Sequence, residues 1–302
     1  MELNRHAYLI VAHNNFDLLQ KLIQLLDDTR NDIYLHVDKK VSNFDSRMLK
    51  VKHSNLRIYQ EIKVNWGGAS QVKCELFLLS EAIKEYHQYY HLISGVDLPL
   101  KTQDEIHAFF NENQGKEFVH FDSCKVTQSE INRVKYYHFL QEFCTNIKNN
   151  TLNKIVKAIK HLSIFVQKIL CINRYKGNFQ IQKGSNWFSI TNDLAVYVVS
   201  KKSWIQNFIR FTVSSDEIFL QTLVANSSFK NKLYNNKFDN DYRACMRYID
   251  WKRGNPYIFQ SNDFDELINS SYLFARKFNP NIDAEIINKI YEHLEVSKQN
   301  GQ

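Results

Sequence analysis

Glycine and proline are scarce in this 302-residue sequence, which contains 8 Gly and 3 Pro. Their scarcity excludes collagen-like chains, glycine-rich arrays and low-complexity linkers. Apolar residues make up 44% of the sequence and charged residues 24%, which is typical of a globular protein and excludes a mainly disordered chain. The length predicts one large domain with an insertion.

Long apolar runs and paired cysteines are also missing. No run approaches the roughly 18 apolar residues of a membrane-spanning helix. The beginning of the sequence lacks the apolar core and the small-residue cleavage site of a signal peptide. The five cysteines are an odd number without a C-x-x-C pair, which argues against a disulfide framework and against a zinc site. These absences predict a cytoplasmic protein.

Acidic residues are absent from residues 143–192, whereas the same segment contains eight lysines and arginines. The rest of the sequence holds 31 basic and 32 acidic residues, so this segment supplies the whole positive excess. A nucleic-acid-binding protein more often spreads its basic residues over its folded surface, so nucleic acid is not a predicted partner. A local basic segment is typical of contact with an anionic membrane or an acidic partner. A non-catalytic module that binds an anionic polymer stays open as an alternative.

Buried strands alternate with amphipathic helices in the first hundred residues. The predicted strands are residues 7–12, 33–37, 57–59 and 89–94, and the predicted helices are residues 17–28 and 71–86. This order predicts an α/β fold with a mainly parallel sheet flanked by helices. Ligands bind such sheets at the carboxyl ends of the strands, where the sequence has His13, Asp38 and Asp97.

A further strand is predicted at residues 187–191 and a helix at 192–199. Ser214 or Ser215 is then expected to cap another helix and to place Glu217 in its first turn. Two interpretations of this glutamate stay open at this point. It is either a general base or a surface carboxylate that complements the helix dipole.

The spacing of apolar residues in 151–172 predicts a basic amphipathic helix. Its apolar stripe consists of Ile155, Ile159, Leu162, Val166 and Ile169. In one interpretation the stripe packs on the core and the basic side is solvated. In the other, the helix lies on a membrane surface, an interpretation that the absence of acidic residues supports.

Common motifs for binding phosphate or metal are missing as well. The sequence contains no G-x-G-x-x-G, no P-loop and no H-E-x-x-H. In the later part of the chain, Asp239-Asn240-Asp241 matches the D-x-D spacing, and a solvated turn is expected there. Since no D-x-D follows a predicted strand in the first hundred residues, no metal site is predicted.

Seven segments, taken in order, resemble the core-2/I-branching glycosyltransferases (glycosyltransferase family 14), which include the peptide O-xylosyltransferases. The segments are AYLIVAHN (7–14), IYLHVD (33–38), WGG (66–68), HLISGVDLPLKT (91–102), KGSNWF (183–188), SDE (215–217) and LFARKF (273–278). The resemblance implies a single domain with a GT-A-type fold. Its expected parts are a nucleotide-sugar half (1–125), an acceptor half (126–280) with a basic helical segment (143–182), and a C-terminal helix (281–302).

The resemblance also implies a reaction. The family transfers a sugar with inversion and without a divalent metal, typically N-acetylglucosamine from UDP-GlcNAc to O6 of a saccharide in a β-1,6 linkage. UDP-xylose with a serine acceptor is the alternative donor and acceptor. Animal members carry a membrane anchor and several disulfides, neither of which is predicted here. The sequence therefore resembles a bacterial relative that acts in surface polysaccharide synthesis on a saccharide or lipid-linked saccharide, in the cytoplasm or peripherally on the inner face of the cytoplasmic membrane.

The same resemblance assigns residues to the donor. Asp38 corresponds to the family's uridine-contacting aspartate, with His13 beside it. Lys277 corresponds to one of two cations that hold the diphosphate, and Arg253 is the predicted second one, with Arg247 and Lys252 as alternatives. The nucleotide-sugar site is completed by Trp66, Gly67 and Asp97.

The remaining assignments concern catalysis and the acceptor. Glu217 corresponds to the catalytic base of the family. Arg133 resembles an arginine on the acceptor side. Trp187 and Trp251 occur where the family lines its acceptor site.

Overall fold

A six-stranded sheet forms the centre of the computed structural model, which describes residues 4–139, 141–144, 149–175 and 177–300. In chain order the strands are β1 (His6–Ala12), β2 (Asn31–Val37), β3 (Asn55–Tyr59), β4 (Tyr89–Ser94), β5 (Leu98–Pro99), β6 (Phe118–Val119), β7 (Phe188–Thr191), β8 (Arg247–Ile249) and β9 (Phe274–Arg276). The large sheet has the order β3-β2-β1-β4-β7-β6. Strands β1 to β4 are parallel and β7 is antiparallel to both of its neighbours. This confirms the predicted α/β fold with a mainly parallel sheet.

Helices connect the strands, and several of them pack on the large sheet. They are α1 (Phe16–Leu26), α2 (Ala69–Ala82), α3 (Gln103–Glu112), α4 (Gln128–Lys135), α5 (Gln141–Cys144), α6 (Asn150–Ile169), α7 (Asn192–Ser200), α8 (Lys202–Ile209), α9 (Phe219–Ala225), α10 (Phe264–Ile268) and α11 (Glu285–Asn300). In the described part of the chain, none of them has the combined length and hydropathy of a transmembrane span.

Burial on both faces explains why β1 reads as an unbroken apolar run. Tyr8 and Ile10 point into a core that includes residues of α1 and α11, whereas Ala7 and Leu9 point into a second core that includes residues of α2 and α7. Successive side chains of a strand lie on opposite faces, so a strand covered on both sides has no polar position to alternate with.

A small second sheet brings the end of the chain to the main sheet. It has the order β5-β9-β8, and Leu98 pairs with Ala275. Because β5 follows β4 after three residues, this pairing places the 273–278 segment beside the carboxyl end of β4.

The predicted helix after Ser214 begins later than expected. Residues Ser215–Glu217 form a separate 3-10 turn, and α9 begins at Phe219. Neither serine provides a side-chain cap, because Ser214 has a left-handed backbone (φ 45°) and the hydroxyl of Ser215 is buried without a partner among the described residues. The predicted cap is therefore wrong, and Glu217 lies in a tight turn before the helix.

The apolar stripe of α6 faces away from the domain. Its five predicted members, Ile155, Ile159, Leu162, Val166 and Ile169, are 43% to 65% exposed. On another side of the helix Gln167 is buried; it accepts a hydrogen bond from the Tyr137 amide (2.8 Å) and donates one to the Tyr137 carbonyl (2.9 Å). The interpretation in which the stripe packs on the core is therefore wrong.

Candidate active site

Several of the predicted residues lie along one edge of the main sheet. His13, Asp38 and Asp97 follow the carboxyl ends of β1, β2 and β4. Because β7 is antiparallel to β4, Trp187 immediately before β7 lies at this same edge. The edge thus collects residues that are far apart in the sequence, and it is the place where parallel α/β sheets bind ligands.

Glu217 is held between two cations at this edge. Its Oε2 lies 2.9 Å from a guanidinium nitrogen of Arg133 and 3.7 Å from Nζ of Lys183. Lys183 also contacts Asp122, which follows β6. The Glu217 side chain remains 38% exposed. It is therefore both oriented by charge and open to a substrate hydroxyl.

A close backbone approach positions this glutamate. The amide of Gly184 donates a hydrogen bond to the Glu217 carbonyl (2.9 Å). A Cβ atom at residue 184 would lie only 1.9 Å from the His120 carbonyl oxygen. Only glycine fits between these two segments, so the Lys183-Gly184 dipeptide fixes the distance between Glu217 and the strand end at His120.

Two buried carboxyl groups lie behind the Glu217 turn. Asp216 accepts a hydrogen bond from Gln71 (2.9 Å) through one oxygen. Burial, with a further contribution from Glu217, raises the pKa of Asp216 to about 7. Burial also raises the pKa of Glu75 in α2, and Asp216 adds to that shift. These groups stay protonated under conditions in which exposed carboxyls ionise.

We expect the Asp216→Asn variant to lose part of the pH dependence of stability. The folded-state pKa of Asp216, about 7, exceeds its ordinary value of 3.8, so the folded protein binds this proton more tightly than the unfolded chain. The free energy of unfolding of the wild type therefore falls as the pH rises from 3.8 to about 7. The upper bound of this fall is about 4 kcal/mol, since one pKa unit corresponds to about 1.4 kcal/mol. Urea unfolding at pH 5 and pH 8 measures it.

The matched control for this variant is Asp193→Asn, because the Asp193 side chain is 69% exposed. The control should keep the pH dependence of the wild type. An Asp216→Asn profile identical to that of the wild type would contradict the burial of an ionisable carboxyl at this position.

The two candidate diphosphate cations, Lys277 and Arg253, differ in whether a carboxylate already pairs with them. Lys277 lies near His13, and in the part of the chain that the structure describes no carboxylate pairs with it. Arg253 forms ion pairs with Asp250 and, at 2.6 Å, with Asp263. Lys277 is thus an available cation, whereas Arg253 would have to leave or share its carboxylates to bind a phosphate.

Arg247, an alternative to Arg253, has a structural role. It is 1% exposed, and its guanidinium donates hydrogen bonds to Ser189 Oγ (2.8 Å) and to the Phe188 carbonyl (2.7 Å). These bonds tie β8 to β7 inside the core. Arg247 is therefore excluded as a diphosphate ligand, whereas the exposed Lys252 is not.

The residues predicted to contact uridine lie close to one loop. The Asp38 carboxylate is buried and accepts hydrogen bonds from the amides of Lys40 (2.9 Å) and Val64 (3.3 Å). Partial desolvation lowers the pKa of His13, with Asp38 opposing this shift and Lys277 and Lys40 reinforcing it. Asp38 thus shapes the loop around the predicted base site.

Asp97 acts through its neighbours. It is 2% exposed, accepts hydrogen bonds from Ser94 N (2.9 Å) and Ser94 Oγ (2.6 Å), and lies 3.5 Å from Arg276. The Arg276 guanidinium in turn lies over the Trp187 ring, 4.2 Å from its centroid. Asp97 therefore positions a cation against the tryptophan, and its own carboxylate is not open to the donor.

The other two predicted tryptophans, Trp66 and Trp251, lie on loops. Trp66 is 82% exposed, and the carbonyl of Gly67 accepts a hydrogen bond from the amide of Ser214 (3.0 Å). Trp251 is 50% exposed in the loop after β8. The Trp66 loop thus connects to the Glu217 turn, and both exposed rings offer flat surfaces on which a sugar can stack.

Two groups of carboxylates in the described residues were considered as metal sites, and basic side chains pair with both of them. In the Asp239-Asn240-Asp241 loop, Asp241 pairs with Arg243 at 2.7 Å. Among the described residues, Asp32, Glu85 and His87 form a cluster of ligand type. That cluster lies at the amino ends of β2 and β4, and Arg5 and Arg57 neutralise its carboxylates.

Three site residues were not assigned from the sequence: Lys183, Asp122 and Arg276. Lys183 and Arg276 lie inside the KGSNWF and LFARKF segments. These motifs therefore pointed to the right segments without indicating which side chains contact Glu217 and Trp187. Asp122 had no such signal, because only the end of β6 places it within reach of Lys183.

Comparison with known proteins identifies relatives of this chain. A family model described as "Core-2/I-Branching enzyme" matches residues 6–266. Xylosyltransferase 2 of Canis lupus familiaris is 23% identical over 312 residues, which cover 96% of this chain and 34% of the relative. The xylosyltransferase of Ciona intestinalis is 22% identical over 306 residues, with coverages of 95% and 34%. The chain spans about a third of the length of these relatives.

Solved structures align weakly. Mouse xyloside xylosyltransferase 1 in its apo form has a TM-score of 0.33 and 10% identity, over 92% of this chain and 98% of that one. TarS of S. aureus has a TM-score of 0.27 and 18% identity, over 45% of this chain and 25% of that one. Both scores are too low to support a conclusion about the site.

The family model covers most of the sequence, from the first residue of β1 to α10. Six of the seven segments on which the resemblance rests lie inside the matched range, and the seventh forms β9 and the residues around it. The chain belongs to the core-2/I-branching enzyme family, a family of glycosyltransferases.

Proposed function

We propose that this protein transfers N-acetylglucosamine from UDP-GlcNAc to a saccharide hydroxyl, with inversion and with O6 as the attacking atom. The observation that supports this proposal best is the placement of Glu217, which Arg133 and Lys183 hold at an open edge of the sheet. The donor binds to the half formed by residues 1–125 together with Lys277. The acceptor binds beside Arg133, Trp187 and Trp251.

The reaction is a single in-line displacement. Glu217 accepts the proton of the acceptor hydroxyl while the hydroxyl oxygen attacks the anomeric carbon. A positioned base of this kind accelerates transfer by roughly 10²–10⁴-fold. UDP leaves from the opposite side, so an α-linked donor gives a β-linked product.

The leaving diphosphate gains negative charge, and cations of this chain stabilise it. Lys277 is the first of these cations, and Arg253 remains the proposed second one. Charge-assisted hydrogen bonds from fixed cations strengthen as water is excluded from the cleft. Two such groups then supply the stabilisation that a divalent ion provides in other transferases.

Transfer is therefore expected to continue in the presence of EDTA. The physical reason is that lysine and arginine, not a chelatable ion, stabilise the leaving group. The measurement compares initial rates in EDTA with rates in added Mg²⁺ and Mn²⁺. Complete loss of transfer in EDTA that Mn²⁺ restores would contradict the metal-independent mechanism.

UDP-xylose is the second candidate donor, because the curated relatives reported above are xylosyltransferases. The proposed acceptor is a saccharide, carried on a lipid in bacterial surface polysaccharide synthesis at the inner face of the cytoplasmic membrane. A xylosyltransferase would instead modify a serine hydroxyl. The two donors differ by an N-acetyl group and a hydroxymethyl group, which a pocket of fixed size distinguishes.

Mass spectrometry of the products tests this proposal. The wild type is incubated with a panel of UDP-sugars and with lipid-linked saccharide acceptors, and the Glu217→Gln variant serves as the blank. A mass increase of one N-acetylhexosamine, seen only with UDP-GlcNAc, is the expected result. A pentose increase would assign UDP-xylose, and no product with any donor would favour a non-catalytic polymer-binding module.

A further inference from the structure

Helix α6 presents a large apolar face to the exterior. Half of the large apolar side chains that the described structure exposes belong to this helix and the residue after it: Leu152, Ile155, Ile159, Leu162, Phe165, Val166, Ile169 and Leu170. We call these eight residues the α6 apolar face. Scattered exposed apolar residues are normal on a protein surface, whereas a contiguous patch of this kind marks an interaction site.

Polar contacts fix this outward orientation. On the side of α6 toward the domain, Nζ of Lys160 donates a hydrogen bond to Oε1 of Gln141 (2.8 Å). Gln167 makes two hydrogen bonds with the backbone of Tyr137. The helix is thus attached by its polar side, the reverse of an ordinary surface helix. Ile155 and Leu162 stay exposed because other residues hold the helix in place.

The flank of the apolar face is basic. At 100° per residue, Lys154, Lys157, His161 and Lys168 lie together along one side of it. Lys157, Lys160, His138 and His161 also line an open pocket of about 490 Å³, together with Ile164 and Val213. In the described part of the chain, no carboxylate lines this pocket. Both the flank and the pocket suit an anionic group.

We propose that α6 docks the protein on an anionic lipid bilayer. The α6 apolar face enters the boundary between headgroups and acyl chains, and the lysines of the flank contact lipid phosphates. A second copy of this chain fits less well, because each copy carries eight basic and no acidic residues over 143–192, and these charges repel. Nucleic acid would engage the lysines and leave the apolar face uncovered. The proposal goes beyond the transfer reaction, and its test requires no sugar donor.

Docking would place the candidate active site close to the lipid. Gln141, which Lys160 holds, donates a hydrogen bond to the Gly67 carbonyl (3.1 Å). The same carbonyl accepts a hydrogen bond from Ser214, three residues before Glu217. A short chain of contacts therefore runs from the membrane-facing helix to the catalytic turn.

Sedimentation with vesicles measures the docking. We expect the wild type to sediment with vesicles of phosphatidylglycerol and phosphatidylcholine at low salt, and not with phosphatidylcholine alone. The variant Lys154→Gln/Lys157→Gln/Lys168→Gln should bind about a hundredfold more weakly, at roughly fivefold per lysine. Lys160 is left unchanged because it attaches α6 to the domain.

The matched control, Lys50→Gln/Lys52→Gln/Lys63→Gln, removes three exposed lysines elsewhere and should bind like the wild type.

A second pair of variants tests the apolar face. Ile159→Ser/Leu162→Ser should lower vesicle binding at least tenfold, because it removes apolar area that enters the lipid. Ile282→Ser/Val296→Ser changes residues of similar exposure outside α6 and should leave binding unchanged. Circular dichroism should show the same helix content for all of these proteins, since each changed side chain is exposed.

Three outcomes would overturn the proposal. In the first, the wild type does not sediment with anionic vesicles at low salt. In the second, the α6 variants and the control variants lose vesicle binding equally. The third is a dimer in lipid-free sedimentation velocity that Ile159→Ser/Leu162→Ser converts to a monomer. That result would assign the α6 apolar face to a second copy of the chain.

Discussion

Replacement of Glu217 by glutamine is expected to reduce transfer by about 10²- to 10⁴-fold, the usual contribution of a positioned general base. The amide has nearly the same shape as the carboxylate, and its oxygen can still accept the hydrogen bond that Arg133 now gives to Glu217. It cannot take a proton from the acceptor hydroxyl. Initial rates with saturating donor and calorimetric binding of UDP separate the two effects, because binding should stay within about threefold of the wild type.

The control for this variant is Glu112→Gln, which changes an exposed glutamate of α3 to the same amide. It should transfer at the wild-type rate. Transfer by Glu217→Gln within about threefold of the wild type would remove Glu217 from the role of base. Asp122 would then be the nearest alternative, since it shares Lys183 with Glu217.

The Lys277→Ala variant is expected to weaken UDP binding and to slow transfer together, each by about ten- to a hundredfold. A hydrogen bond between charged groups contributes about 1.5–3 kcal/mol, and in the proposed mechanism Lys277 contacts the diphosphate both before and during departure. The loss should therefore appear in the binding constant of UDP and in kcat/KM. Lys202→Ala provides the control, because it removes an exposed lysine from α8, which carries no residue assigned to the donor.

The second diphosphate cation is identified by two further variants. Arg253→Ala should resemble Lys277→Ala if Arg253 exchanges Asp250 and Asp263 for the diphosphate. A silent Arg253→Ala together with a defective Arg276→Ala would transfer this role to Arg276, which lies over Trp187 at the edge of the sheet. Normal UDP binding by Lys277→Ala would contradict the placement of the donor.

The pattern of apolar residues along the sequence was sufficient to predict the central sheet. Strands β1, β2 and β4 are mainly apolar, without a regular polar alternation, because both faces of these strands are buried, and that burial is recorded in the sequence itself. Parallel pairing then brings their carboxyl ends together, so His13, Asp38 and Asp97 could be assigned to one edge before the structure was known. The ordered motifs added the family, since they carry spacing information that no single segment contains.

The tertiary structure decided which side chains meet. Glu217 and Arg133 are 84 residues apart, and their 2.9 Å contact depends on how α4 and the turn before α9 pack, which no local pattern encodes. Pairing of β9 with β5 likewise decided that Arg276 reaches Trp187. For α6, periodicity predicted an apolar side but not its direction. The helix turns that side outward because the hydrogen bonds of Lys160 and Gln167 hold its polar side against the domain.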